Sequence, residues 1–283
     1  MDSSLFFQGR NIAIATKHGK EAVIAPRLSE ALGLQCVNSD QLDTDSLGTF
    51  SGEVERRYNP LETARMKCSL AMEIAGTELA IASEGSFGAH PSIPFIPAHE
   101  ELLLLIDKKN AWEFVVKKLE TKTNYSQILL QSYDALEGFL AQAQFPSHAI
   151  IIKKSADDPT DCVKGVHDEK TLRETIERFM QRYGQCSLET DMRAMHNPTR
   201  MKVIDALTVE LIQQIQSACP VCNTPGFRLT DIQRGLLCSN CGLPTRSVKS
   251  EVFRCQNCQH TEYRDPSHGL KNEDPMFCDF CNP

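Results

Sequence analysis

Eight of the chain's twelve cysteines form four C-x-x-C pairs between residues 219 and 283. Two thiolates at this spacing can hold one side of a tetrahedral ion, and two such pairs complete a closed four-sulfur zinc site. Clustered cysteines in a chain without a recognisable secretory signal indicate metal ligands rather than disulfides. We therefore predict a C-terminal double zinc ribbon with two structural zinc ions. The predicted ligands are Cys219, Cys222, Cys238, Cys241, Cys255, Cys258, Cys278 and Cys281.

The spacing leaves open which pairs share an ion. The segments between successive pairs hold 15, 13 and 19 residues. Matching the pairs in sequence order closes the shortest loops and costs the least chain entropy. We therefore expect the first pair to share an ion with the second, and the third with the fourth. A cross-braced arrangement, first with third and second with fourth, is the alternative.

Charge argues against nucleic acid as the partner of this region. The whole chain carries a net charge of −7, whereas nucleic-acid affinity comes largely from neutralising phosphates with Lys and Arg. Residues 219–283 contain seven basic and seven acidic side chains, and two four-thiolate zinc ions would add about four negative charges. We expect the ribbons to stabilise the chain or to dock a protein partner.

Length and composition fit two globular domains. A chain of 283 residues with 41% apolar and 24% charged residues is long enough for both. The absence of an 18-residue apolar run and of a signal-like N-terminus predicts a cytoplasmic protein that does not span a membrane. We expect a ligand-binding or hydrolase domain at 1–217 and the zinc ribbons at 218–283.

Short apolar runs alternate with helical segments in the first domain, which predicts an α/β fold with a twisted mixed sheet flanked by helices. The best-marked helix covers 61–75, with Asn59 as N-cap, Pro60 at its first position and Glu62 closing a capping box. The predicted strands are 11–16, 34–37, 79–83, 102–106 and 149–153. The other predicted helices are 20–32, 111–119, 133–144, 172–183 and 198–217. Short hairpins are predicted between the cysteine pairs.

Polar residues follow two of the predicted strands, where open α/β sheets bind ligands. Asp43, Asp45 and Glu53 lie in the loop between these positions. Carboxylates near lysines suit Mg²⁺ and a polyphosphate, although each element alone also fits an ordinary turn or exposed loop. The strand-end residues are Lys17, His18 and Lys20 after the first strand and Glu84, Ser86 and His90 after the later one.

A third polar group occupies residues 191–200. Arg193, His196 and Arg200 lie just before or within the first turn of a predicted helix. Such side chains can hold an anionic or purine-like group. A capped helix with arginines on its surface is the alternative.

Over its length the sequence resembles an uncharacterised bacterial family that joins an α/β body to a C-terminal double zinc ribbon. The matching strings are ATKHGKE, DTDSLGTFSGE, ARMKC, ASEGSFGAHP and TDMRAMHNPTR, together with the C-x-x-C pairs. This resemblance implies no activity.

The body also weakly resembles the inosine/xanthosine triphosphate pyrophosphatase-like superfamily, through the order ATKHGKE, GTFSGE, ETARMKC, LAIASEGSFG and NPTR. The resemblance implies that Mg²⁺-bound carboxylates activate water to cleave between the α- and β-phosphates. Lys17 and Lys20 would match phosphate-binding positions, Glu53 and Glu84 acidic positions, Lys67 the helix lysine and Arg200 the late arginine.

Two functions follow as hypotheses. The first is a Mg²⁺-dependent hydrolase of a nucleotide or another phosphorylated small molecule, with His18 or His90 as acid or base. The second is a non-enzymatic ligand-sensing protein whose ribbons dock a protein partner. The expected catalytic residues are Lys20, Glu53, Lys67 and Glu84, and the expected substrate-binding residues are Lys17, His18, Ser86, His90, Arg193, His196 and Arg200.

Overall fold

The computed structural model describes residues 3–16, 18–38, 58–156 and 158–283. The described chain forms two compact units, one of residues 7–211 and one of residues 212–283 with the N-terminal residues up to Phe6. We call them the body and the C-terminal unit. Four residues of the predicted site lie outside the described residues: Lys17, Asp43, Asp45 and Glu53.

The body contains a mixed five-stranded sheet, as the sequence predicts. Its strand order is β2-β1-β3-β4-β5. Strands β2, β1 and β3 are parallel, whereas β4 and β5 each run antiparallel to their neighbours. The strands are β1 (Asn11–Ala15), β2 (Gln35–Asn38), β3 (Leu79–Ala89), β4 (Pro97–Asp107) and β5 (Trp112–Glu120).

Helices α1 (Glu21–Leu32) and α2 (Pro60–Ala75) connect the parallel strands. The predicted capping box of α2 is confirmed, since the side chain of Asn59 accepts a hydrogen bond from the Glu62 amide at 2.9 Å. Gly33 and Gly76 end the two helices in the left-handed conformation that glycine adopts at little cost.

Helix α2 packs on one face of this sheet, against small side chains such as Ala80 and Ala82 of β3. Side chains alternate between the two faces of a strand. Glu84 therefore lies on the α2 face, whereas Ser83 and Gly85 lie on the opposite face. This alternation divides the polar residues of the body into two groups.

A second, antiparallel sheet of the body has the order β6-β9-β7-β8. Helices α3 (Leu136–Ala143) and α4 (Glu169–Tyr183) share its apolar core. Helix α5 (Pro198–Gln216) follows β9, and its last five residues fall in the C-terminal unit. The strands are β6 (Gln127–Leu130), β7 (Ile150–Ser155), β8 (Asp158–Val166) and β9 (Cys186–Thr190).

The predicted helix at 111–119 is wrong, because this segment is strand β5. Trp112, Phe114 and Val116 alternate along it as buried residues, which is the period of a strand. The sequence prediction also missed β6, β8 and β9. Among the described residues, no helix combines the length and apolar character needed to cross a bilayer.

The C-terminal unit is a three-stranded antiparallel sheet with little apolar core. The order is β10 (Arg228–Arg234), β11 (Val248–Arg254) and β12 (Thr261–Arg264). Its buried cluster contains Phe227 together with two cysteines, and Phe253 packs against it. Most of the apolar surface that stabilises a domain is therefore missing from this unit.

Candidate functional site

The eight predicted cysteines form two four-sulfur groups in the C-terminal unit. The nearest sulfur pairs are 3.6 Å apart in both groups, Cys222 to Cys255 in the first and Cys241 to Cys278 in the second. Within each group the four sulfurs lie within 4.8 Å of one another. The first group is Cys219, Cys222, Cys255 and Cys258, and the second is Cys238, Cys241, Cys278 and Cys281.

The expected sequential pairing is therefore wrong, and the cross-braced alternative is correct. The antiparallel sheet is the reason. Arg228, at the start of β10, pairs with Arg254 at the end of β11, whereas Arg234 pairs with Val248 at the opposite end. Successive C-x-x-C pairs thus emerge at opposite ends of the sheet. Strand pairing decides the arrangement, and the small entropic advantage of shorter loops does not.

The geometry of both groups fits zinc. With Zn–S bonds of about 2.3 Å, a tetrahedral site has sulfur–sulfur edges of about 3.8 Å, close to the spacings observed. The Asn240 amide donates to Cys238 Sγ and the Asn257 amide to Cys255 Sγ, each at 3.4 Å. Such hydrogen bonds stabilise thiolate ligands. The chain therefore has two closed four-cysteine groups suited to two zinc ions.

A buried ion cluster lies in the body, on the sheet face opposite α2. Arg200 Nε donates to Glu101 Oε2 at 2.9 Å, and Arg200 Nη2 donates to Glu101 Oε1 at 3.1 Å. Lys20 Nζ donates to the backbone oxygen and to Oγ of Ser83, each at 3.0 Å, and lies 3.9 Å from Glu101 Oε1. We call Lys20, Ser83, His99, Glu101 and Arg200 the Glu101 cluster.

Glu101 is the carboxylate that these cations share. His99 Nε2 lies 2.8 Å from Glu101 Oε2, and Ser83 Oγ donates to Glu101 Oε1. Burial alone would raise the pKa of Glu101, but Arg200, His99 and Lys20 hold this pKa well below its usual range. Glu101 is therefore ionised, with its charge balanced inside the protein.

The pKa of Lys20 is lowered as well, which for a lysine favours the neutral form. Burial, together with the nearby Arg200 guanidinium, lowers the pKa of Lys20 to about 7, although Glu101 and Glu84 act in the other direction. The cluster holds two cationic side chains against one carboxylate. The charge on Lys20 is consequently only partly compensated, and this lysine titrates near neutral pH.

Lys67 and Glu84 form a second ion pair on the α2 face, where both side chains are largely buried. They lie near Lys20, because Lys20 Nζ contacts the backbone oxygen of Ser83, the residue before Glu84. The parallel pairing of β1 with β3 places the turn that carries Lys20 beside Ser83 and Glu84. The structure thus brings together four predicted site residues: Lys20, Lys67, Glu84 and Arg200.

Gly85 makes room for the cluster. A Cβ atom at this position would lie 2.5 Å from Arg200 Nη2 and 2.6 Å from Glu101 Oε2. Phe87, two residues further along the same face, stacks on the His99 ring with 4.4 Å between ring centroids. The predicted strand 79–83 continues to Ala89, so Glu84, Gly85 and Ser86 lie within it rather than after its end, and the glycine stands where the ion pair approaches.

The N-terminus of α5 positions Arg200. The Arg200 amide donates to Asn197 Oδ1 at 2.9 Å, and Arg200 Nη1 donates to the Met192 oxygen at 2.7 Å. The predicted start of this helix at Asn197–Pro198 is confirmed. Arg200 is buried, so the alternative of a capped helix with arginines on its surface is wrong for this residue.

Arg193 and His196 lie together, next to the β8 backbone at Gly165. Arg193 is held by the buried carboxylate of Asp191, with Nη2 2.6 Å from Oδ2. Burial lowers the pKa of His196, and Arg193 acts in the same direction. Met195 contacts the turn before α1, because a Cβ at Gly19 would lie 3.7 Å from Met195 Cβ. This segment therefore borders the Lys20 turn.

The remaining predicted residues are more dispersed. His18 lies in the turn before α1, and Ser86 follows Gly85 on β3. His90 lies six residues beyond Glu84, about 20 Å along an extended chain. Its Nδ1 accepts hydrogen bonds from the amides of Ser92 and Ile93, both at 3.1 Å. His90 thus shapes the β3–β4 connection.

Sequence reasoning missed Ser83, His99, Glu101 and Asp191. The sequence contained a signal for His99 and Glu101, because these polar residues alternate at the start of an apolar strand. A charged residue within such a strand is buried only when it is paired. Among the described residues, the only groups of three or more suited to a metal ion are the two cysteine groups.

Comparison with known proteins identifies a family. No curated protein matches the chain. Residues 67–283 match the family described as a domain of unknown function, DUF6671. The match covers most of the body and residues 212–283 of the C-terminal unit, which confirms the resemblance to an uncharacterised family. The chain belongs to the DUF6671 family.

Proposed function

We propose that the body hydrolyses a nucleotide or another phosphorylated small molecule with the help of a divalent cation, and that two zinc ions fold the C-terminal unit. The observation that carries the first part is that Lys20, just after the end of β1, hydrogen-bonds to Ser83 of β3, next to the buried ion pair of Lys67 and Glu84. Ligands of open α/β sheets bind beyond the carboxyl ends of parallel strands, which is where β1 delivers Lys20. The resemblance to the inosine/xanthosine triphosphate pyrophosphatase-like superfamily points to the same residues.

The charge balance favours an anionic ligand. Lys20 and Arg200 share the single carboxylate of Glu101, whereas Lys67 and Glu84 neutralise each other. A phosphate group near Lys20 would supply the missing negative charge in a site with little water. Electrostatic interactions are stronger in such a site than at the protein surface.

In the proposed reaction a water oxygen forms a bond to phosphorus and the phosphoanhydride bond breaks. The leaving phosphate carries the bonding electrons, and a proton from the water is released. Lys20 in its charged form would stabilise the developing charge on the leaving oxygen. Arg200 and Glu101 would hold Lys20 in place.

Of the carboxylates predicted to bind Mg²⁺, Glu84 alone belongs to the described residues, and Lys67 neutralises it. A group of three oxygen ligands is absent from the described chain. Glu84 would be one ligand of the cation, and hydrolysis without added cation tests whether the reaction requires it.

The test is a hydrolysis assay with the zinc-loaded full chain. The protein is incubated with a panel of nucleoside triphosphates, with Mg²⁺, with Mn²⁺ or without either, and pyrophosphate and phosphate are followed. Added cation is omitted rather than chelated, so that the zinc sites stay intact. We expect turnover of at least one substrate, and a loss of at least 100-fold in Glu84→Gln.

Glu113→Gln is the matched control, because Glu113 forms an exposed ion pair with Arg65. This variant should keep full activity. The fluorescence of Trp112, the single tryptophan of the chain, shows whether each variant retains the folded body. Failure to hydrolyse any substrate in the panel would contradict the enzyme proposal.

A ligand-sensing body is the second candidate. The observation that favours it is that Glu101 and Arg200 are fully buried and engage each other, so neither is free to act as a base. Such a protein would bind the triphosphates without cleaving them. Saturable increases in melting temperature without turnover would support this function.

A further inference from the structure

His148 caps the first turn of helix α5. The Thr199 amide donates to His148 Nε2 at 3.2 Å, and Thr199 Oγ1 lies 2.9 Å from the same nitrogen. Pro198, at the first position of the helix, has no N–H group that needs a partner. The next amide after that of Thr199 belongs to Arg200, and it donates to Asn197 Oδ1. His148 and Asn197 therefore cap α5 together.

The hydrogen bonds of His148 determine where its ring carries the proton. A backbone amide can only donate, so Nε2 is the acceptor and carries no hydrogen. Nδ1 lies 2.9 Å from Ser147 Oγ, and the Ser147 hydroxyl donates its hydrogen to the Gln144 oxygen at 2.7 Å. Ser147 Oγ therefore accepts from Nδ1–H. Both sides of the ring require neutral imidazole with its proton on Nδ1.

Two other histidines of the body have the opposite arrangement. His99 Nε2 lies 2.8 Å from Glu101 Oε2, and His167 Nδ1 lies 2.8 Å from the Gly165 oxygen. These oxygens only accept, so each ring donates and keeps its contact when it gains a second proton. At His148 the second proton would lie on Nε2 and face a backbone N–H group. Of these three histidines, His148 alone loses a hydrogen bond on protonation.

The surroundings of His148 also favour the neutral ring. The residue is 3% exposed. Burial lowers its pKa below the ordinary value and Lys202 of α5 acts in the same direction, whereas a hydrogen bond with the Gln144 backbone acts against them. The N-terminus of α5 is the positive end of the helix dipole and disfavours a further cation.

The segment that precedes α5 adds little net charge beside His148. The Ala149 amide donates to the His196 oxygen at 3.1 Å, which joins this segment to the residue after His148. Asp191 and Arg193 form an ion pair there. His196 is the remaining titratable group of the segment, and burial lowers its pKa as well. An experiment must therefore distinguish His148 from His196.

The turn that His148 caps also positions Arg200. Arg200 follows Thr199 directly, and its guanidinium donates to both carboxylate oxygens of Glu101 and to the Met192 oxygen. An imidazolium at His148 would leave the Thr199 amide without this acceptor, and helices fray first at ends whose N–H groups lack partners. Loss of the cap therefore loosens the part of α5 that holds Arg200.

We propose that His148 is a pH-sensitive cap: when its imidazole takes up a second proton, the first turn of α5 opens and Arg200 loses its fixed position beside Glu101. His148 is a positioning residue, because it acts on Arg200 through Thr199. The inference goes beyond the proposed hydrolase function and does not depend on it, since the effect is measured on the protein without ligand.

The direction of the pH effect follows from the lowered pKa of His148. In the unfolded chain this ring binds a proton near pH 6.5, whereas in the folded body it does so only at lower pH. The contribution of the cap is therefore complete above about pH 6.5 and is lost as the pH falls through the pKa of the folded state. The loosened form is the acidic one.

NMR of the ¹⁵N-labelled, zinc-loaded full chain tests the tautomer and the coupling. At pH 7.5 the His148 ring should be protonated on Nδ1 and bare on Nε2. Between pH 7.5 and 5 the ring signals should titrate with a midpoint below 6.5, and the amide shifts of Thr199 and Arg200 should follow with the same midpoint. Because the signals are assigned, His196 is distinguished directly.

Urea unfolding followed by Trp112 fluorescence measures the effect on stability. Between pH 7.5 and 5.5 the unfolding equilibrium constant should rise at least threefold more in wild type than in His148→Gln. Glutamine Oε1 lies as many bonds from Cα as Nε2 does, and it accepts from the Thr199 amide without titrating. His167→Gln is the matched control and should keep the wild-type response, because the His167 contact survives protonation.

Four results would overturn the proposal. One is a His148 ring that is protonated on Nε2 at pH 7.5, and another is a ring that titrates at or above pH 6.5 or not at all down to pH 5. The third is that the Thr199 and Arg200 amide shifts do not follow the ring. The fourth is an equal pH response in wild type and His148→Gln. If this variant does not fold, the NMR results decide.

Discussion

The body and the C-terminal unit differ in what surrounds their buried polar atoms. In the body, extended apolar layers enclose a few charges, and Glu101 and Arg200 are fully buried against each other. In the C-terminal unit a buried cluster contains a phenylalanine with two cysteines, and eight sulfurs form two groups that could each hold a metal ion. We therefore expect the stability of the body to come from burial and that of the C-terminal unit to depend on bound zinc.

Because of this difference, we expect different changes to destabilise each part. Removing one charge from the body leaves its partner buried and unpaired, which is costly. Removing the metal from a zinc ribbon removes most of the free energy that folds it. Perturbations of one part should therefore leave the other largely unchanged.

The largest expected effect is that of zinc removal. A strong chelator should unfold the C-terminal unit, because structural zinc contributes on the order of 10–16 kcal/mol in small zinc domains. Trp112 lies in β5 of the body, so its fluorescence should stay unchanged while the NMR signals of residues 219–283 collapse. Loss of the Trp112 signal at the same chelator concentration would contradict separate stabilisation.

Glu101→Gln should give the next largest effect. The variant leaves the buried Arg200 without its anion, and breaking a buried ion pair costs about 3–5 kcal/mol. Urea unfolding followed by Trp112 fluorescence measures the loss. Glu113→Gln, which breaks an exposed pair, should cost about 1 kcal/mol or less. Equal losses in both variants would show that the Glu101 cluster does not stabilise the body.

The third prediction concerns pH and Lys20. In the folded body the pKa of Lys20 is lowered to about 7, so the folded state releases this proton while the unfolded state keeps it up to about pH 10. The free energy of unfolding should therefore rise between pH 7 and 9.5, by about 3 kcal/mol. Lys20→Met should remove this rise. If the free energy of unfolding still rises with pH in Lys20→Met, another titratable group causes the rise.

Gly85→Ala should have the smallest effect of the four. The added methyl group would press on Arg200 and Glu101, and overpacking of this kind costs about 1–3 kcal/mol. At Gly88, on the same strand, an added Cβ has no atom within 4 Å. Gly88→Ala should therefore leave the urea midpoint nearly unchanged. A larger effect at Gly88 than at Gly85 would contradict the close approach of Arg200 and Glu101 to Gly85.

Local signals in the sequence predicted much of the body. The capping box at Asn59 and the glycines after α1 and α2 defined helix ends, because these interactions span only a few residues. Strand β5 was missed, since the apolar residues Trp112, Val115, Val116 and Leu119 also have the i, i+3, i+4, i+7 spacing of a helix, and pairing with β4 decides the outcome. Single-sequence patterns do not contain that pairing.

The candidate sites show the same limit. Lys20, Glu84 and Arg200 were recognised from their positions beside or within predicted elements, and Lys67 from the resemblance to the pyrophosphatase-like superfamily. In the structure Lys20 and Arg200 share Glu101, and Lys67 pairs with Glu84. Glu101 was not recognised, because its role depends on contacts with Ser83 and Arg200, 18 and 99 residues away. The cysteine ligands were clear from spacing, but their pairing required the order of the strands.

The proposed phosphate site of the body depends on Lys20. Calorimetric titration of the zinc-loaded chain with inorganic triphosphate tests this dependence at pH 6.5, where Lys20 is largely charged. We predict saturable one-site binding that weakens at least tenfold in Lys20→Met and is unchanged in the exposed-pair variant Glu113→Gln. Equal affinity for wild type and Lys20→Met would show that Lys20 does not bind phosphate.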